Sequence, residues 1–442
     1  MENIGEKRIM NKFLLFLTGC ISPVLLWAVS LDIETVEKRD FKIGEEIVFT
    51  VCAKDDAGKK LVSGSFDLEI KDSGRVLIET RKIDLAEKGN PFSFTTRLDR
   101  PGFVFVSSPG YVDSDGKKEK WAMKPFYPYG GAAVEPEKII AGTERPEDFD
   151  RFWQEGIKAF ESAEVTVEAQ DKIKREGYKV SRVTVKFPDG SGAITGFLSI
   201  PEKPGKYPAL AAVPGAGPGA VSPQPYWSSP VPAIELWMNV HLFPTADNAA
   251  EQSRRYRKYN ESFPGKAYYL HNAGNRDEYI YRKVWLALNR AMDFVAELPE
   301  FDGRHFAITG NSQGGGTALA VGSLNKHVTC IVASVAALCD HGGWKMNRMP
   351  GWPMLYFNRK DEGVEKSYPY FDGVNFAVNI HVPVLMSAGF VDTTCFPSSV
   401  FAAYNKIPSK NKQLYRMYRY GHRTAPEFPA EVREFLAKEL TR

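Results

Sequence analysis

From Tyr178 to the end, one pattern repeats: short, continuous apolar runs alternate with helix-length segments. The runs are "YPALAAVPG", "LWMNVHLF", "HFAITG", "CIVASVAAL", "VPVLMSAGF" and "QLYRMYRYG". An uninterrupted apolar run suits a strand buried on both faces, the situation of a parallel sheet with helices packed on either side. Two β-like stretches, "YKVSRVTVKF" and "AITGFLSIP", lead into the runs, and "DEYIYRKVWLALNRAMDFVAELPE" has the spacing of an amphipathic helix. Residues 145–442 are therefore expected to form one α/β domain, opening on a helix in "RPEDFDRFWQEGIKAFESA".

The chain ahead of it follows a different rule. From Leu31 to about Pro125 short alternating segments are separated by turn signals such as Asp56-Ala57-Gly58 and Asp99-Arg100-Pro101-Gly102. That rhythm predicts an immunoglobulin-like β-sandwich over 31–125. The Pro/Gly-rich stretch 126–144 reads as a linker. The sandwich's role stays open between a spacer and a carbohydrate-binding appendage.

At the N-terminus Lys7, Arg8 and Lys12 precede the apolar run Phe13–Val29, which ends in Ala28-Val29-Ser30. Residues 1–30 read as a signal peptide, implying a periplasmic or secreted protein. Pro23 interrupts the run, which is short for a membrane span. Leu17-Thr18-Gly19-Cys20 resembles a lipoprotein cleavage box, so a lipid anchor at Cys20 is the second reading and the only membrane association expected. With 43% hydrophobic residues, 25% charged residues and a net charge of +3, the chain has neither a disordered composition nor the basic excess of a nucleic-acid binder. Cys52, Cys330, Cys339 and Cys395 are too few for a disulfide scaffold and read as buried thiols, with one pairing among the last three left open.

Chemistry enters at "ITGNSQGGGTALAVG", where Gly310-Asn311-Ser312-Gln313-Gly314 satisfies G-x-S-x-G. An apolar strand precedes the serine and a helix-compatible stretch follows, the context of a nucleophile elbow rather than a flexible glycine loop. A serine hydroxyl is a poor nucleophile at neutral pH and needs a base, itself oriented by an acid. In the α/β-hydrolase order the acid and then the histidine follow the serine. Of the four histidines after Ser312, His327 and His381 fall at the amino ends of apolar runs, and His341 comes too early in the chain. His422 lies directly after the last run and is the expected base. Asp392, just past the penultimate run, is the expected acid, with Asp340 as the alternative. Two oxyanion donors are expected, the backbone N–H groups of Gln313 and Ala216. The mechanism requires no metal or other cofactor, and no His/Cys/Asp group has metal-ligand spacing.

Four stretches, "GNSQGGGTALAVGSL", "GFVDTTCFPSSVFAAYNKI", "YGH" and the long helix before the serine, resemble the acetyl xylan esterase and cephalosporin-C deacetylase family of α/β-hydrolases. The resemblance runs from about Arg145 to the C-terminus. It implies removal of acetyl groups from xylose-based oligosaccharides, with Ser312, Asp392 and His422 as nucleophile, acid and base. The chain departs from that family in two loops. Pro214-Gly215-Ala216 stands where the family has His-Gly-Tyr, and the Arg-Gly-Gln stretch after the next strand is missing. The family's ring-like oligomers also lack a leading sandwich, so the oligomeric state stays open. A prolyl-oligopeptidase-like peptidase and an esterase of another acylated glycan are the competing readings.

Tyr226, Trp227, Trp237, Trp344 and Trp352 could edge a sugar site or sit in the core. The cluster Arg254, Arg255, Arg257 and Lys258 reads more readily as a solvated helix face than as a seat for an acidic sugar.

Overall fold

The computed structural model describes residues 29–123, 126–219, 229–358 and 360–442. The Cys20 reading, Tyr226, Trp227 and all of the signal-peptide reading but its last two residues lie outside them; of those two, Val29 is buried in the N-terminal core and Ser30 opens the first strand.

Nine strands form the N-terminal part: β1 (Ser30–Thr35), β2 (Ile47–Lys54), β3 (Ser65–Asp72), β4 (Val76–Asp84), β5 (Phe92–Thr96), β6 (Gly102–Ser107), β7 (Tyr111–Val112), β8 (Lys118–Glu119) and β9 (Tyr129–Val134). They make a three-stranded sheet, β1-β2-β5, and a six-stranded sheet, β8-β7-β3-β6-β9 with β4 on β3. β2 and β3 alternate buried and half-buried residues along their length, as a sheet with one face on a core must. The buried sets of both sheets, Ile47, Phe49 and Val51 with Phe66, Leu68 and Ile70, share one core. β9 lies inside the stretch read as a linker. Its run "YGGAAV" pairs antiparallel with all of β6, and its small residues hide a strand signal that bulky β-formers would have given.

The second sheet has nine strands: β10 (Val165–Ala169), β11 (Tyr178–Lys186), β12 (Ala193–Pro201), β13 (Tyr207–Val213), β14 (Ile234–Met238), β15 (Phe301–Asn311), β16 (Cys330–Ser334), β17 (Val384–Gly389) and β18 (Lys412–Met417). Their order is β10-β11-β12-β14-β13-β15-β16-β17-β18. The first three pairings are antiparallel and the last five parallel. Each of the six apolar runs overlaps one of the strands β13 to β18. β14 and β16 are buried at every position. The helix Ile280–Ala296 packs its apolar face, with Trp285 fully buried, against the sheet. This is the α/β-hydrolase fold, preceded by a β-rich domain. Among the described residues no helix is long and apolar enough to cross a membrane.

Candidate active site

The carboxyl ends of β15, β17 and β18 converge at one place. β15 ends at Asn311 and the helix Gln313–Leu324 starts one residue later. Ser312 alone makes the turn, with φ 58° and ψ −118°. A non-glycine residue persists in so strained a conformation only where its surroundings over-determine it. Here its N–H donates to the Ser334 carbonyl at 2.9 Å, and its own carbonyl accepts from Gly316 at 3.0 Å and Ala337 at 2.9 Å. The glycines make the turn sterically feasible. A Cβ on Gly310 would run into the backbone of Gly314, and one on Gly314 would run into the carbonyl of Val213.

His422 follows β18 and bridges two partners. Its Nε2 lies 2.8 Å from Ser312 Oγ and its Nδ1 2.9 Å from Asp392 Oδ2. Asp392 follows β17 and is fully buried. Its Oδ1 accepts the N–H groups of Thr394 at 2.7 Å and Cys395 at 2.9 Å. The three residues nominated from sequence are thus brought into one hydrogen-bonded chain, open to solvent at the imidazole.

Asp340 does different work. It is buried, pairs with Arg348 at 2.7 Å and accepts the Gly142 N–H at 2.6 Å. It ties the loop after β16 to the connector between the domains. His341 beside it is fully buried, and His381 is exposed at the amino end of β17.

The nominated oxyanion donors sit on the residue after Ser312 and in the loop after β13. Gln313 is the first residue of its helix, so its N–H has no acceptor within the helix and sits at the positive end of the helix dipole. The loop after β13 passes alongside. A Cβ on Gly215 would lie 3.5 Å from Ser312 Cβ, and the neighbouring Ala216 is exposed.

Two features could not be read from sequence spacing. The side-chain Oε1 of Gln313 accepts from the hydroxyls of both Tyr268 and Tyr281, the second at 2.9 Å. Tyr268 in turn touches His241 Nε2 at 3.1 Å, and His241 Nδ1 meets Asn239 at 2.6 Å. A buried polar network therefore sits behind the turn. The second is Cys395, whose thiol contacts the Ser312 side chain. Ligand atoms of Asp392, Cys395 and His422 come within 4.8 Å of one another, a metal-capable grouping among the described residues. Both Asp392 oxygens are already engaged, and burial pushes the Cys395 thiol well above its ordinary value. Asp392 and His422 are thus already engaged in the hydrogen-bonded chain that reaches Ser312.

The aromatic residues divide. Trp237 is buried in β14 and belongs to the core. Trp344 stacks on Tyr356 at 4.4 Å. Trp352 packs on Tyr269 at 4.7 Å, and its backbone N–H donates to the Thr394 carbonyl at 3.0 Å, beside the Asp392 loop. Arg254 and Arg255 pair with Glu251 on their own helix, and Arg257 and Lys258 are exposed. All four described cysteines are free thiols, which closes the disulfide question left by the sequence.

Residues 137–439 match the family model "Acetyl xylan esterase (AXE1)". The chain belongs to the acetyl xylan esterase family. It is 30% identical over 324 residues to the acetyl esterase Axe7A of Xylanibacter ruminicola, a match covering 70% of each chain. Among solved structures, the acetyl xylan esterase of Paenibacillus sp. R4 superposes with a TM-score of 0.55 at 22% identity, over 69% of this chain and 99% of the other. Acetyl xylan esterase 1 of Thermoanaerobacterium sp. JW/SL YS485 gives 0.55 at 21%, over 70% and 98%. These two matches carry the fold. As a member of the acetyl xylan esterase family the chain is a carboxylic-ester hydrolase.

Proposed function

We propose that this chain is an exported serine esterase that removes acetyl groups from acetylated xylan-type oligosaccharides. The observation that carries the mechanism is the position of His422, 2.8 Å from Ser312 Oγ on one side and 2.9 Å from Asp392 on the other. Ser312 Oγ attacks the acetyl carbonyl carbon while His422 Nε2 takes the hydroxyl proton. The negative charge moves to the carbonyl oxygen, where the N–H groups of Gln313 and Ala216 receive it. The intermediate collapses, the C–O bond to the sugar breaks, and His422 returns its proton to the departing sugar alkoxide. Water then attacks the acetyl-serine with His422 again as base, releasing acetate and regenerating Ser312. Asp392 holds the imidazole in the tautomer and orientation that both steps need.

The sugar assignment is supported by the family and by the acetyl esterase relative at 30% identity. Export is supported by the basic and apolar N-terminal stretch. The test is acetate release from acetylated xylo-oligosaccharides by wild type and Ser312→Ala. Release by wild type that disappears in the variant is expected. Wild-type turnover restricted to 4-nitrophenyl acetate would move the substrate to another acyl ester, and activity surviving the substitution would overturn the mechanism.

A further inference from the structure

β18, which leads to His422, is the edge strand of the nine-stranded sheet, with β17 and its Asp392 loop beside it. A loop hanging from a sheet edge has a neighbour on one side only, yet catalysis needs its side chain held closely. The N-terminal domain supplies the other side. β6 is buried at five successive positions, Gly102 to Val106, because it serves two cores. Val104 and Val106 point into the sandwich, whereas Phe103, with Ala133 of β9, belongs to the hydrolase core. The Phe103 ring meets Phe390 edge-on at 5.1 Å, two residues before Asp392. Gly131 of β9 lies so close to the Phe390 carbonyl that no Cβ would fit.

The same domain grips the base loop. Arg419 pairs with Asp32 at 3.2 Å and Glu34 at 2.8 Å, both on β1, and its guanidinium lies 3.9 Å over the Phe126 ring. Tyr127 lies against Gly421, so that a Cβ there would fall 2.7 Å from the tyrosine ring. The acid loop adjoins the same residue: the Val391 carbonyl would lie 3.3 Å from that Cβ, and the Val391 N–H donates to the Tyr420 carbonyl at 3.2 Å. The residue before His422 thus adjoins both Tyr127 and the acid loop.

We propose that the N-terminal domain is a working part of the catalytic apparatus, with Tyr127 as the positioning residue that holds the His422 loop against the Asp392 loop. The proposal rests on the catalytic roles given to Ser312, Asp392 and His422 above. It replaces both the spacer and the sugar-binding roles for this face of the domain, since the face is occupied by the hydrolase domain.

The experiment uses the full chain with 4-nitrophenyl acetate, an ester that makes no demand on sugar recognition. In Tyr127→Ala we expect kcat to fall about tenfold or more with KM within about threefold of wild type, because a misplaced base weakens the transition state rather than binding. Labelling of Ser312 by a fluorophosphonate slows in proportion, and Tyr127→Phe, which keeps the ring on Gly421, restores both. Should Tyr127→Ala fail to fold, the double variant Asp32→Asn/Glu34→Gln releases Arg419 without opening a cavity and is expected to lower kcat in the same direction. Retention of kcat and labelling within about twofold of wild type by the folded variants would overturn the proposal alone. A wild type that neither hydrolyses the ester nor takes the label would overturn the catalytic reading, and this proposal with it.

Discussion

Asp392 and His422 meet across thirty residues of chain, and the two oxygens of Asp392 divide the work. Oδ2 faces His422 Nδ1 at 2.9 Å, while Oδ1 accepts the N–H groups of Thr394 and Cys395 and so shapes its own loop. Asp392→Asn can keep the loop bonds through its carbonyl oxygen but presents an NH2 group to the imidazole, which then holds the wrong tautomer. Steady-state kinetics on a small acetyl ester are expected to show kcat reduced about 10⁴-fold, with the thermal midpoint little changed.

In the proposed mechanism Gln313 carries two separate duties, a backbone N–H that serves the oxyanion and a side chain that receives Tyr268 and Tyr281. Gln313→Ala keeps the first and removes the acceptor the two hydroxyls share; Tyr268 retains His241 Nε2, while Tyr281 loses its Gln313 partner. Denaturant unfolding should report a loss of about 1–3 kcal/mol for the buried Tyr281 hydroxyl, while Ser312 still takes a fluorophosphonate label.

Why some of this was legible in sequence and some was not follows from range. The six apolar runs and the serine turn are local patterns, and burial on both faces demands them. His422 and Asp392 could be selected because the sheet's direction leaves few positions at its carboxyl edge. β9 escaped because Gly130, Gly131, Ala132 and Ala133 have little β propensity of their own, and the strand exists because β6 offers a partner for all six residues. The tyrosines behind Gln313 and the seating of Tyr127 on Gly421 join segments far apart in the chain, and no spacing rule announces such contacts. The run "GFVFVS" did carry a signal, since five buried residues in succession need a core on both faces.

Cys330, Cys339 and Cys395 are buried, and burial raises all three thiols above their ordinary value, whereas Cys52 is half-buried. Thiol titration of the native protein is expected to leave those three unreacted until denaturant is added. Reductant should leave esterase activity unaltered, because no disulfide links the described cysteines.

His341 is fully buried with neither ring nitrogen hydrogen-bonded, and burial holds its pKa down at about 3 against an ordinary 6.5. As pH falls, the unfolded chain takes up this proton first. The folded state is therefore at full strength above about 6.5 and loses stability from there towards 3. Between pH 7 and pH 5 the loss from this one group is about 2 kcal/mol. Unfolding curves for His341→Leu should show a correspondingly smaller drop over that interval.

The most direct measurement is the mass of the intact protein after reaction with a fluorophosphonate, followed by peptide mapping. One adduct per chain is expected, on Ser312, formed more slowly when His422 is replaced by alanine. An unmodified protein, or an adduct on any other residue, would contradict it.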